Sequence, residues 1–342
     1  AAAAGGDAVR AERDTLPFLN PEDQTPANTG RNASYRQRAV WLGATGGTLE
    51  GMLGMAFRVD PRADIPERLA HLLVNADGAG VSLYQQSQQA LGNVLQIGRH
   101  GLLADFAAGQ PRIQVYRGEN IINWRYEMDG DEQVLTLLVL REVVSKVQPG
   151  NEFALVDMDR YRVYRCDPTT RAVTSQVWEA DVPNGVPVAR DVVPVRGGGG
   201  LTLSGIPFVP IGSKTNDFAF DPAPLGPIAE VNMAHYRNSA DYEDMLYWLG
   251  QAQPYITGLS EQDRNFMLAP YTVDDNGVRT PLPKMYWGSR APFLLPPQAT
   301  IGFAQLLPND AQREAMQDKE AQMRALGARL IDSAGNKTAT GE

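Results

Sequence analysis

The chain has 342 residues, with 40 acidic against 31 basic side chains and a formal net charge of −9. Hydrophobic residues make up 43% and charged residues 21%, which is enough for a real core and excludes wholesale disorder. One cysteine, Cys166, excludes an internal disulfide or a paired-cysteine zinc or redox motif, and three scattered histidines (His71, His100, His235) leave little for a metal centre.

Residues 1–34, Ala/Gly-rich and then polar with prolines, read as a flexible arm, and Ala1–Gly6 lacks the layout of a signal peptide. The run Tyr35–Trp41 has helical character. Pro61 and Pro66 punctuate a loop before a short helix over Glu67–Asn75. From Ser82 to Gln96, the residues Leu83, Gln86, Ala90, Val94 and Leu95 fall near a helical period, ended by Gly98-Arg99-His100-Gly101.

The next stretch changes character. Ile113–Tyr116, Ile121–Tyr126, Val134–Val144, Glu152–Val156, Tyr161–Arg165 and Val173–Glu179 are short, β-branched and aromatic. Turn signals at Asp129-Gly130-Asp131, Pro149-Gly150 and Asp167-Pro168 separate them, which predicts an antiparallel sheet. Val182–Gly200 ends in four glycines and reads as a flexible loop. Leu203–Ile211 returns as an edge strand, because proline is confined to edges.

Pro224-Leu225-Gly226-Pro227 then starts the longest helix, Ile228–Gln251, whose apolar residues wrap more than one face. At 1.5 Å per residue the rod is about 36 Å long. A helix of that kind needs neighbours on several sides, from its own domain or from other subunits. Pro254 stops it. Residues 255–307, with a hairpin turn signal at Asp274-Asp275-Asn276-Gly277, predict a small β module. Asn309 or Asp310 caps a second long helix running to Ile331, with Met316, Met323, Leu326 and Leu330 near heptad spacing. Asp332–Glu342 is polar and small. No apolar run reaches the ~18 residues of a membrane-spanning helix.

Residue clusters that invite a chemical reading each have a plainer one. His100, beside Arg99 and Asp105, has no paired nucleophile or second base and reads as a helix end followed by a strand start. His235 and Asp241 miss the i, i+3 or i+4 spacing of a shared helical face. Asp129, Asp131, Glu132, Asp157 and Asp159 lack the glycine and terminal glutamate of a calcium loop. No Lys-Ser/Thr follows Gly197–Gly200, so it is no phosphate loop. Trp124 and Trp178 read as strand residues in a packing role. No catalytic, cofactor or metal site is expected.

The order of elements and several local strings resemble bacteriophage portal proteins, the ring-shaped head-to-tail connectors of tailed phages. The strings are Tyr35-Arg36-Gln37-Arg38-Ala39, Thr48 to Arg58, Asp77 to Leu83, Gly98 to Asp105, Glu119 to Arg125 and Ile206-Pro207-Phe208. The most telling is Asn232-Met233-Ala234-His235-Tyr236-Arg237-Asn238-Ser239-Ala240-Asp241-Tyr242, and Met323 to Leu330 closes the series. Their specificity lies in collinear order rather than in any one string.

The resemblance implies an α+β, portal-like fold. Residues 1–34 would be a flexible N-terminal arm, 35–222 a mixed wing of helices and then antiparallel sheet, and 223–252 the first stem helix. A small β-rich clip over 253–308, a second stem helix over 309–331 and the start of a tunnel loop over 332–342 would follow. The helical crown that usually comes next is expected to be absent from this chain.

It also implies a structural, non-enzymatic subunit that forms a ring of about twelve copies at one capsid vertex. The ring would admit double-stranded DNA for packaging and ejection, and dock terminase and later a tail adaptor through the clip, beside the major capsid protein. The expected location is the virion, after synthesis in the bacterial cytoplasm, with no membrane partner. Tyr242, Met245, Trp248, Met316 and Met323 are the expected stem contacts between subunits, and Asn336 and Lys337 the expected DNA-facing residues. Net acidity argues against an ordinary nucleic-acid binder, yet suits a lumen that lets DNA slide without gripping it. Arg313, Lys319, Arg324 and Arg329 are expected to pair with Glu314, Asp318 and Glu320 rather than hold phosphates. The alternatives are a virion scaffold or adhesin with the β region as its binding face, and an acidic-site hydrolase built on residues such as Asp157 and Asp159.

Overall fold

The computed structural model describes residues 1–107, 109–148, 150–182, 185–197, 200, 203–250, 253–268, 271–273, 275–281, 297–304 and 310–335. The chain divides into two compact units, one made of Ala1–Thr15, Trp41–Tyr236 and Asp318–Glu342, the other of Leu16–Val40 and Arg237–Gln317. Its helices in chain order are α1 (Gly6–Ala11), α2 (Pro26–Arg38), α3 (Ala44–Ala56), α4 (Leu83–Ile97), α5 (Gly226–Leu249), α6 (Glu261–Leu268) and α7 (Asp310–Gly335).

In the first unit, β1 (Arg99–Ala107) lies between β2 (Gln110–Arg117) and β8 (Phe208–Gly212) in an antiparallel sheet. A second sheet takes β3 (Ile121–Asp129), β4 (Glu132–Gln148), β5 (Asn151–Cys166), β6 (Val173–Glu179) and β7 (Val188–Pro194) in chain order, an antiparallel meander. Successive strand side chains point to opposite faces, and β4 follows that rule: Val134, Thr136, Leu138 and Leu140 are buried, with half-buried residues between. Val134, Leu138 and Leu140 share one core with Leu103 of β1, Tyr116 of β2, Phe208 of β8 and Tyr164 of β5. The two sheets therefore close over each other.

The step from α4 into β1 is held by backbone geometry and one charge. Ser82 and Gln85 form a reciprocal capping box at the start of α4, and Gly98 ends it at φ +83°, a conformation that favours glycine. Arg99 follows and is 1% exposed. Its hydrogen bonds go to main-chain carbonyls, those of Phe218 at 2.6 Å and Gly118 at 3.1 Å among them, while its guanidinium lies over Phe220 (4.0 Å) and Trp124 (5.0 Å). Burial lowers its pKa. His100 is 2% exposed, and neither ring nitrogen has a hydrogen-bond partner among the described residues.

The second unit holds α2, the C-terminal half of α5, and the β module. There β9 (Gln253–Thr257) pairs with β12 (Thr300–Ala304), and β10 (Tyr271–Val273) with β11 (Arg279–Pro281). The helix α6 was not expected inside this module, although Ser260 and Asp263 cap it reciprocally. That S-x-x-D signal is legible in the sequence.

Several elements differ from the sequence expectation. Residues 1–34 are not a bare arm: α1 and most of α2 lie there, and Val9 and Leu16 are buried. Thr25 accepts from Asn28 N and Pro26 opens the first turn, a start signal hidden in a polar, proline-containing stretch. Glu152–Val156 and Tyr161–Arg165 belong to one strand, because Asp157 and Asp159 pair with Ser145 and Val143 instead of turning. Val182–Gly200 contains β7, and Glu67–Leu73 is a 3-10 helix. β8 is an edge strand, with Pro210 opposite Gly101, as its prolines required.

Burial pushes the His100 imidazole down to about 4. A base whose folded pKa lies below its ordinary 6.5 adds stability that is complete above pH 6.5 and is lost as pH falls toward 4. The loss amounts to about 3 kcal/mol. Urea melts of the wild type should steepen in pH dependence over that window, and His100→Phe should flatten it. Equal slopes in both proteins would contradict the assignment.

Candidate functional site

The polar clusters of the first unit are structural in their contacts. Asp159 pairs with Arg141 at 2.8 Å, and Asp157 accepts from the Ser145 hydroxyl at 2.5 Å. Asp129 and Glu132, at the β3–β4 turn, hold Arg171 at 3.2 and 2.9 Å. Tyr116, Arg160 and Arg162 converge on Glu142 and tie the two sheets together. Burial alone would raise the Glu142 pKa, but the Tyr116 hydroxyl and the two arginines outweigh it and lower it. Among the described residues no group of three His, Cys, Asp or Glu side chains is placed to hold a metal ion, and no helix is long and apolar enough to cross a membrane.

The long helices offer more. In the first unit the start of α5 runs antiparallel to the end of α7: Ile228 packs with Met323, and His235 lies beside Glu320. Leu95 of α4 and Leu225 join that cluster, with Leu49, Met52 and Leu53 of α3 packed on it. A Cβ on Gly327 would stand 3.3 Å from Thr48 Oγ1, so α7 approaches α3 closely there. The His235 Nε2–Glu320 Oε1 distance of 3.5 Å is long for a hydrogen bond, and burial lowers the His235 pKa despite the nearby carboxylate. Asn232 is 0% exposed, with neither amide atom partnered among the described residues.

In the second unit α2 clamps the end of α5. The Tyr35 hydroxyl donates to Asp241 Oδ1 at 2.7 Å, and Ser239 exchanges two hydrogen bonds with the Val40 backbone. Arg38 and Arg31 both pair with Asp244, whose side chain is 14% exposed. Arg38 also lies over the Tyr247 ring (4.3 Å) and Arg31 over Trp248 (5.6 Å). Spacing explains this: residues 31, 35 and 38 share one face of α2. Leu246, Tyr247 and Trp248 stay 40–46% exposed. Exposed Tyr and Trp braced by Arg are the residue types that dominate protein–protein contacts.

The residues expected from sequence fall in different places. Trp248 is in the exposed cluster, and Tyr242, Met245 and Met316 are half-buried in the second unit. Met323 is 2% exposed and packs within its own chain. Asn336 and Lys337 lie outside the described residues. Arg324 pairs with Glu320 as expected, whereas Arg313 pairs with Asp310. Arg31 was missed, because its segment reads as flexible. Its signal is the spacing to Tyr35 and Arg38.

Residues 224–342 match the model of a family described as a domain of unknown function (DUF4055). No curated protein matches the chain. Among solved structures, it is similar to a chain in the virion of a native gene transfer agent particle, with 14% identity over 86% of this chain and a TM-score of 0.40. It is also similar to a chain in the neck of the native particle computed with C12 symmetry (15%, 95%, 0.41) and to one in the neck of the empty particle computed with C6 symmetry (13%, 83%, 0.40). The chain spans 66%, 72% and 64% of those three chains, respectively, just under two thirds in the first and last.

Asp244→Ala should leave two arginines without their shared carboxylate and lower stability by about 1–3 kcal/mol in chemical denaturation. Arg31→Ala, at a half-exposed position, should cost under about 1 kcal/mol. A wild-type melt for Asp244→Ala would remove the clamp from the account.

Proposed function

We propose that this chain is a structural subunit of a bacteriophage portal, assembling into a closed ring at one capsid vertex. The observation that carries the reading is order: helices and an antiparallel sheet, then a long helix, a small β module and a second long helix, collinear with the strings that resemble portal proteins. In this reading residues 35–222 are the wing, α5 and α7 the stem helices, and the strands between them the clip. The ring would hold about twelve subunits. Double-stranded DNA would pass through it during packaging and ejection, and terminase, the tail adaptor and the major capsid protein would be its partners. The protein would act in the virion and carry out no catalysis of its own.

Electrostatics and surface chemistry favour the same reading. A charge of −9 per subunit, repeated around a ring, makes a wall that phosphates do not cling to. Tyr242, Met245, Trp248 and Met316 supply apolar surface for neighbouring copies, and the exposed Tyr247 and Trp248 are its natural anchors. Asn336 and Lys337 follow the end of α7 and would face the DNA.

Native mass spectrometry tests the reading directly. The wild type should appear as a closed oligomer of about a dozen copies. Trp248→Asp should reduce it to small species with an unchanged circular dichroism spectrum, since Trp248 is already 43% exposed. A monomeric wild type, or intact rings in Trp248→Asp, would contradict the subunit contact.

A further inference from the structure

Past Leu140, β4 loses its β3 neighbour, and β6 joins β5 only from Arg160 onward. Between those points β4 and β5 pair with each other alone, a two-stranded arm from Arg141 to Asp159. A two-stranded ribbon is marginal in water unless something covers it. Ala180, Val182 and Pro187 stand beside Val143 and Met158 at the base of the arm. Among the described residues the tip has no such cover. Val147 sits opposite Leu155, and past that pair the register shifts, with Phe153 in the irregular stretch between Asn151 and Leu155. These three are 58%, 65% and 90% exposed. Glu152 adds one exposed carboxylate beside them.

The same unit carries a groove of complementary chemistry. α3, α4 and β2 form an open cleft of about 540 Å³, lined by Leu53, Gly92 and Val115 with the amides of Gln88, Gln89, Asn93 and Gln96. Helix α4 has no charged residue, and among the described residues the cation of the lining is Arg117, half exposed and shared with Glu119. The absence of a side chain at Gly92 leaves the floor open: a Cβ there would meet nothing nearer than 3.8 Å.

We infer that the β4–β5 arm of one copy seats its Phe153 tip in the α3–α4–β2 groove of the next copy, with Glu152 toward Arg117. Phe153 is 90% exposed, so its own chain's groove does not hold it. Tip and groove are different surfaces, so the contact is head-to-tail and repeats from copy to copy until a ring closes. Unpaired edge groups of the arm would find donors and acceptors in the glutamine and asparagine amides. The inference rests on the ring reading and names a contact for it away from the long helices.

The test uses the full chain. Gly92→Leu fills the groove and Phe153→Ser removes the knob. Each should raise the subunit concentration at half-assembly by about tenfold or more, as expected from losing one buried aromatic. Gly92→Ala should assemble like wild type, because a Cβ fits. With cysteines at Phe153 and Gln89 together, a short bis-maleimide should give a ladder of linked subunits, and either cysteine alone should not. Cys166 is buried and should stay silent. Wild-type rings that persist in both variants and give no ladder would overturn the arm contact and leave the ring standing. A wild type that never assembles would overturn both.

Discussion

The antiparallel contact between the start of α5 and the end of α7 is the constraint on which the remaining architecture depends. Ile228 and Met323 meet there, Gly327 allows α7 within reach of Thr48, and His235 faces Glu320. Everything from Arg237 to Gln317 leaves the first unit through one of these helices and returns through the other. This contact also buries polar groups. Asn232 and His235 are buried with few partners, and such groups fix a helix in one register more than they stabilise it.

The first unit solves a second problem with a charge. Among the described residues Arg99 bonds to no carboxylate and is balanced by carbonyls and two aromatic faces. It links β1 to the turn before β3 and to the segment around Phe218, which stacks on Trp124 at 5.2 Å. His100, next to it, is buried neutral. Protonation of His100 is what makes this core sensitive to acid.

Much of this was legible in the sequence, and the failures share a cause. β2, β3, β4, β6 and both long helices declare themselves by periodicity, β-branched runs and proline stops. The α4 capping box and the edge position of β8 follow from Ser82, Gln85 and the prolines of the strand. What periodicity missed were elements whose buried face is polar or whose strand runs through charges. α2 buries Asn28, Asn32 and Tyr35 rather than leucines, so it resembles a loop. β5 runs straight through Asp157 and Asp159 because Ser145 and Arg141 on β4 answer them. Of the expected contact residues, Trp248 shows how spacing places a residue on a helix without saying what braces it. The arginine that lies over it, Arg31, comes from more than 200 positions away.

Surface chemistry then becomes the link between fold and function. An exposed Tyr–Trp pair on α5 and an uncovered apolar hairpin tip are costly for a lone globule and natural for a repeating subunit. Imaging purified particles by negative-stain electron microscopy tests this most directly. The account predicts annular particles with rotational symmetry and a central opening. A field of compact single-chain particles, with no rings at any subunit concentration, would contradict it.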